Sequence, residues 1–418
     1  MAEKEKFLEE LPEDAEVQPE KNGKKKIVIK KSRFIILIVL MFVMGTSFGN
    51  HVAGIVGSVN DEKAVISRAE YDALMSVYDR FGKLDYLYDY LKETYYKDLN
   101  DADMMDGIYK GLYESAGDPY TNYLTAEEYE NLMVDTTGEF YGIGITFTAT
   151  EDDRLVIIST MDGSPAANAG LRTGDYIVSV DGVMYGADEM NDAASAMRGE
   201  LNTKVDIVYS RDGEEHEVTI TRKKITVESV ETEILDDNIG YIRISTFDVN
   251  TGDDFEKELR KLEMQGVSGL IIDLRNNGGG IVSSGTHIAD LLLPEGTIIY
   301  TETKAGERTY YNSEPSATSL PYVLLVNEGT ASTSEILSVA VKENEGGKLV
   351  GTNTFGKGIV QISVPLTDGS ATTVTIEQYY SPDGNEIHGI GVQPDYVVEL
   401  PADAETDLQL EKAIELLK

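Results

Sequence analysis

Two near-continuous apolar runs, Gly269-Leu270-Ile271-Ile272-Asp273-Leu274 and Tyr322-Val323-Leu324-Leu325-Val326, constrain the fold more than any other feature. A strand with one wet face alternates apolar and polar residues, whereas a strand without that alternation has both sheet faces covered. Helical stretches follow these runs at Gly285 to Leu293 and Ser334 to Glu343. A strand, Ile239 to Ile244, and an amphipathic helix, Thr251 to Gln265, precede the first. This alternation predicts an α/β core over 226–418 in which strands feed helix N-termini.

Upstream, residues 62–133 read as a helical N-terminal region. Leu84, Tyr88, Leu91 and Tyr95 recur at helix spacing, as do Met104, Ile108 and Leu112. Gly117-Asp118-Pro119-Tyr120 is a break, and Thr125 before Ala126-Glu127-Glu128 restarts a helix. The leucine and tyrosine stripe is the kind that forms core or an interface face, and no chemistry is read there.

Residues 138–224 change to short strands and glycine-rich turns, with Gly142-Ile143-Gly144-Ile145 early and Gly170-Leu171-Arg172-Thr173-Gly174-Asp175-Tyr176-Ile177 later. The pair of motifs resembles a PDZ domain, a mostly β module. In that resemblance Gly142, Ile143, Gly144 and Ile145 form the loop that binds a peptide C-terminus. Glycines there let backbone N–H groups converge on a carboxylate, and the adjoining strand edge accepts an extended peptide. For that loop alone, an ordinary strand turn would be the simpler reading.

At the N-terminus, residues 1–33 carry nine Lys/Arg against eight Asp/Glu and read as a disordered cytoplasmic tail with a basic flank. Residues 34–56 are largely apolar, and lysines and Arg33 on their N-terminal side predict that this side stays cytoplasmic. A single transmembrane anchor with an extracytoplasmic catalytic part is the expectation, and a cleaved signal peptide is the competing reading. The chain's net charge of −38 argues against nucleic acid as a partner. It contains no cysteine, so disulfides and thiolate metal sites are excluded.

Chemistry concentrates in three segments. Ser332 lies in Gly329-Thr330-Ala331-Ser332-Thr333-Ser334-Glu335, just past a buried strand and at a helix start, where free N–H groups suit an oxyanion. Ser332-Thr333-Ser334-Glu335 is equally a capping-box pattern, which would make the serine only a cap. Lys357, between Gly356 and Gly358, could be a solvated charge. As a general base it must be buried enough to lose its proton near neutral pH. Gln361, four residues on, could hold the amine or be an ordinary surface side chain. Asp273-Leu274-Arg275-Asn276-Asn277-Gly278-Gly279-Gly280 leaves a core strand with exposed amides. The four histidines lie near no convincing Ser or Asp constellation.

Together with Tyr380 to Ile387 and Gly389 to Asp395, these segments resemble the carboxy-terminal processing peptidases, membrane-linked Ser–Lys proteases with an inserted PDZ domain. The resemblance implies Ser332 as nucleophile, Lys357 as base and Gln361 as its orienter. The amides of Thr333 and Gly279 would form the oxyanion hole. Gly278 stands where many members carry proline, which puts the loop donor in doubt. No metal or cofactor is implied. The expected partners are polypeptides with exposed C-termini, the membrane and a second copy of the chain, while an activating protein is left open. PDZ movement would gate the dyad. The rival readings are an inactive PDZ adaptor on a protease-like fold and a Ser–Lys amidase of small molecules.

Overall fold

The computed structural model describes residues 16–19, 25–30, 63–150, 152–161, 163–401 and 404–418. They belong to two compact units, Met1–Gly107 and Ile108–Lys418. In the first, strands β1 (Glu16–Pro19), β2 (Lys25–Lys30) and β3 (Lys63–Ser67) pair antiparallel in that order. Within the span 1–33, read as a disordered tail, the described residues 16–19 and 25–30 form β1 and β2, and Ile27-Val28-Ile29 is a β-branched run that favours extended backbone. The anticipated anchor, 34–56, lies outside the described residues. Among the described residues no helix is long and apolar enough to cross a membrane.

Helix α1 (Arg68–Thr94) starts from a capping box, with Ser67 N–H donating to Glu70 Oε2 at 2.7 Å and Glu70 N–H donating to Ser67 Oγ at 3.3 Å. Its leucine and tyrosine stripe stands open, with Leu84, Leu87, Tyr90 and Leu91 exposed. Helix α2 (Asp101–Glu114) crosses the unit boundary, so the helical block read as 62–133 is divided at Gly107.

In the second unit β4 (Asn122–Leu124) precedes α3 (Ala126–Thr137), which Thr125 caps with Glu128 as its sequence predicts. The PDZ module comprises β5 (Glu139–Gly142), β6 (Ile145–Ala149), β7 (Leu155–Thr160), α4 (Pro165–Asn168), β8 (Tyr176–Val180), α5 (Met190–Met197), β9 (Lys204–Arg211), β10 (Glu214–Thr221) and β11 (Lys223–Thr226). An antiparallel β5–β11 ribbon forms its neck. The remaining strands form an antiparallel sheet in the order β10-β9-β8-β7-β6, leaving β6 at an edge. Leu155, Ile157, Val180 and Ile207 fill its core.

The larger core runs through β12 (Val230–Leu235), β13 (Ile239–Ile244), α6 (Thr251–Gln265), β14 (Gly269–Asp273), α7 (Val282–Leu292), β15 (Gly296–Thr303) and β16 (Arg308–Ser313). It continues through β17 (Tyr322–Val326), α8 (Thr333–Glu343), β18 (Lys348–Gly351), β19 (Ile359–Pro365), β20 (Ala371–Tyr380), β21 (Tyr396–Val397) and α9 (Leu408–Leu416). Its main sheet has the order β12-β13-β14-β17-β18-β21, parallel except for the first pair. Every residue of β14 and β17 is buried. Leu270, Ile272 and Leu324 pack with Phe255, Ile288 and Ile336 from α6, α7 and α8, while Ile271, Val323 and Leu325 pack with Ala413 from α9. Helices on both faces explain the missing alternation in these two strands. A second sheet, β16-β15-β20-β19, takes β4 onto β20 and so carries the segment after α2 to the side of β19.

Candidate active site

The loops leaving β14 and β17 are bonded to one another. Thr330 Oγ1 donates to Leu274 O at 2.8 Å, and Ala331 N–H donates to Asn277 O at 3.0 Å. They bring Gly279 against Ser332: a Cβ on Gly279 would lie 2.7 Å from Ser332 Cβ and 2.8 Å from the Thr333 nitrogen. With φ at +97° as well, only glycine fits.

Ser332 sits at the N-terminus of α8 with φ 55° and ψ −118°, a sparsely populated conformation for a side-chain-bearing residue. The Glu335 half of the capping pattern is made, Ser332 N–H donating to Glu335 Oε2 at 2.9 Å, while Glu335 N–H donates to the Ser332 carbonyl at 2.7 Å. The Thr333 N–H has no acceptor among the described residues. Gly279 departs from expectation: its N–H donates to Asn277 Oδ1 at 2.8 Å, so it is not a free oxyanion donor here. An asparagine bonding the amide two residues on is a frequent local turn, and it competes with any ligand for that N–H.

Glu335 joins the serine and lysine segments. Fully buried, its carboxylate accepts from Ser332 N–H at 2.9 Å, Lys357 N–H at 2.7 Å, Gly356 N–H at 2.7 Å and Thr354 Oγ1 at 2.5 Å. Tyr379, also buried, directs its hydroxyl at the carbonyl oxygens of Ser332 and Lys357. A buried carboxylate needs such donors to be tolerated, so the site's backbone converges on this residue. In the sequence Glu335 reads only as a capping residue; its one unusual signal is an acid directly before Ile336 to Val341, a stretch that is apolar but for Ser338.

Lys357 precedes β19, and its Nζ lies 4.4 Å from the centre of the Tyr120 ring. Burial pushes the ammonium below the usual lysine range, while the Asp118 and Glu335 charges act in the opposite direction. Among the described residues neither Lys357 Nζ nor Ser332 Oγ has a hydrogen-bond partner, so the two meet no direct bond here. Gln361 donates instead to Thr375 Oγ1 at 3.1 Å. Lys357 lies two residues before β19, so strand alternation does not tie it to Gln361, and a register shift on the β20 side sets Gln361 opposite Thr375. Asp118 and Tyr120, read in the sequence as a helix break, face the lysine.

In the PDZ module Gly142 ends β5, Ile143 is buried, and Ile145 opens the edge strand β6. Gly144 has φ +76°, and a Cβ there would meet Ser164 Cβ at 2.6 Å. The N–H groups of Ile143 and Gly144 have no acceptor among the described residues.

Fold and site together define a serine-peptidase core bearing a PDZ module. A family model described as peptidase family S41 matches residues 238–398, and one described as a PDZ domain matches 156–211. A carboxyl-terminal-processing protease of Synechocystis sp. is 40% identical over 314 residues, covering 72% of this chain and 74% of the relative. The carboxy-terminal processing protease CtpA of Bacillus subtilis is 34% identical over 325 residues, covering 77% and 70%. The solved photosystem II D1 C-terminal processing protease is 31% identical, covers 79% of this chain and 90% of that one, and superposes with a TM-score of 0.46. The chain therefore belongs to peptidase family S41, as a PDZ-bearing serine peptidase of the carboxyl-terminal processing type.

Proposed function

We propose that this chain is an endopeptidase that cuts extracytoplasmic polypeptides near their C-termini with a Ser332–Lys357 dyad. The observation that carries this reading is the shared Glu335 hub. It ties the backbone of a serine with an unengaged hydroxyl to that of a lysine whose burial favours the neutral amine.

For reaction, Lys357 must leave the Tyr120 face and reach Ser332. Ser332 Oγ then attacks the scissile carbonyl while neutral Lys357 takes its proton. Thr333 N–H, at the positive end of α8, receives the developing oxyanion; Gly279 N–H joins it only if Asn277 lets go. Collapse of the tetrahedral intermediate breaks the C–N bond, and Lys357 returns its proton to the departing amine. Water repeats the sequence on the acyl-enzyme, releasing the acid and restoring Ser332. Gln361 acts on Lys357 through its neighbours rather than by direct contact.

The PDZ module captures the substrate C-terminus at Gly142 to Ile145, where two unpartnered amides and the open β6 edge suit a carboxylate and an added strand. Its movement gates the dyad, in keeping with the absent Ser332–Lys357 bond. The basic flank and apolar run at 34–56 support an anchored chain with its catalytic part outside. Such an anchor would hold β2 and β3 on opposite sides of the bilayer, and their antiparallel pairing counts against it. The exposed Leu84, Leu87, Tyr90 and Leu91 suit a dimer, which a monomeric hydrodynamic mass at working concentration would remove. An activating protein would act on the same gate.

Incubation of the purified full chain with an unfolded protein bearing an apolar C-terminus tests the dyad. Cleavage should occur with wild type and vanish with Ser332→Ala and Lys357→Ala. Cleavage by all three would defeat the assignment.

A further inference from the structure

The turn between α2 and β4 belongs to the region in which sequence reading found no chemistry, yet its side chains reach the lysine. It is held from several sides. Asp118 accepts from Tyr120 N–H at 3.0 Å and Thr121 Oγ1 at 2.7 Å. Thr121 Oγ1 also accepts from Thr375 N–H at 3.1 Å, and β4 pairs with the start of β20 through Asn122 and Thr373. Thr375 Oγ1 in turn accepts from Gln361 Nε2 at 3.1 Å. A relay thus runs from Gln361 through Thr375 and Thr121 to Asp118, beside an ammonium seated on the Tyr120 ring.

We propose that Asp118 and Tyr120 are positioning residues for Lys357: the ring seats its amine in the resting site from which it must move to reach Ser332, and the carboxylate governs how readily the amine gives up its proton. The proposal rests on the Ser–Lys reading above. An opposite charge nearby favours the charged lysine, and an aromatic face attracts a cation. Glu335 from α8 also acts on the amine, Tyr379 from β20 bonds the Ser332 and Lys357 carbonyls, and His388 from the loop after β20 acts on Asp118 and accepts from Gly358 N–H at 3.4 Å. Glu335 is occupied by four donors and Tyr379 by backbone carbonyls, which leaves Asp118 as the group whose charge can be removed with least rearrangement. Burial opposes ionisation of Asp118, but bonds from Thr375, Thr121 and Tyr120 N–H hold its carboxyl below the usual range, so it stays charged throughout the working pH.

The sign is fixed by this arrangement. Asp118 raises the lysine's affinity for its proton, so an isosteric Asp118→Asn must free the amine at lower pH. The experiment is the pH dependence of Ser332 labelling by a fluorophosphonate, and of peptide cleavage, on the full chain. Asp118→Asn should move the ascending limb acid-ward by about one pH unit. Tyr120→Phe, which keeps the ring, should leave the limb in place; Tyr120→Leu should move the limb acid-ward by less than one unit, as a cation–π contact is lost. His388→Gln should leave the limb in place. A limb that stays put or moves alkaline-ward in Asp118→Asn overturns the proposal, and loss of amplitude without a shift would mark a merely structural turn. Lys357→Ala separates the two readings. If it abolishes labelling while the Asp118→Asn limb does not move, the dyad stands and the positioning role falls. If Lys357→Ala remains active, both fall.

Discussion

Replacing Glu335 with glutamine tests whether the site is assembled on a buried charge. The carboxylate accepts four hydrogen bonds, two on each oxygen. Glutamine keeps one acceptor oxygen and turns an NH2 group toward the other two donors, so two charge-assisted bonds are lost and their donors face a donor. At about 1.5–3 kcal/mol for each bond to a charged group, the loss is about 3–6 kcal/mol. That is a large part of the roughly 5–15 kcal/mol that holds a typical domain folded. With a urea slope of about 3 kcal/mol/M, the unfolding midpoint should fall by about 1–2 M. Circular dichroism through a urea titration, with peptide cleavage at low urea, reads both consequences. Activity should drop on the order of 100-fold or more, because Ser332 and Lys357 lose the anchor their backbones share. A midpoint within about 0.3 M of wild type, with cleavage intact, would refute the hub.

Gly279→Ala should abolish cleavage in a kinetic assay while the PDZ module still binds peptide, since its Cβ would strike Ala331 O and Ser332 Cβ, both at 2.7 Å. Cleavage by the wild type should rise with pH through a value below the ordinary lysine range of about 10.4, because burial favours the neutral amine. Lys357→Arg, charged at every accessible pH, should show no such limb in the same pH–rate profile. Within the PDZ module, burial opposes ionisation of Asp175, but the Arg211 guanidinium bonded at 2.7 Å and the Arg172 N–H hold its carboxyl below the usual range. A depressed carboxylate stabilises the fold above its unfolded pKa of about 3.9 and loses that contribution as pH falls through the folded value. Asp175→Asn should therefore flatten the PDZ unfolding midpoint against pH below about 4, followed by thermal melts.

The parts legible in the sequence are those whose cause is local. Every residue of Tyr322–Val326 is apolar, so a doubly covered strand follows directly, and Ile239–Ile244 and Thr251–Gln265 appear where their patterns place them. Thr125 and Glu128 cap a helix because both partners lie within one turn. Gln361 is the counterexample. Four residues of spacing put it on the side of Lys357 in a strand or a helix alike, but Lys357 lies before the strand and Gln361 bonds Thr375 on the paired strand.

The sequence by itself determined the layering of the core, the PDZ insertion and the segments that carry chemistry, because periodicity and glycine motifs act over a few residues. Tertiary structure alone decided what those segments touch. Asp118 and Tyr120 reach Lys357 from more than two hundred positions away, brought there when β4 pairs with β20. Glu335 becomes a hub only because the loop before β19 folds back onto the first turn of α8, and Gly279 loses its amide to Asn277 only once the two loops close. Hydrogen bonds and charges choose partners by distance in space, and no spacing along the chain encodes that distance.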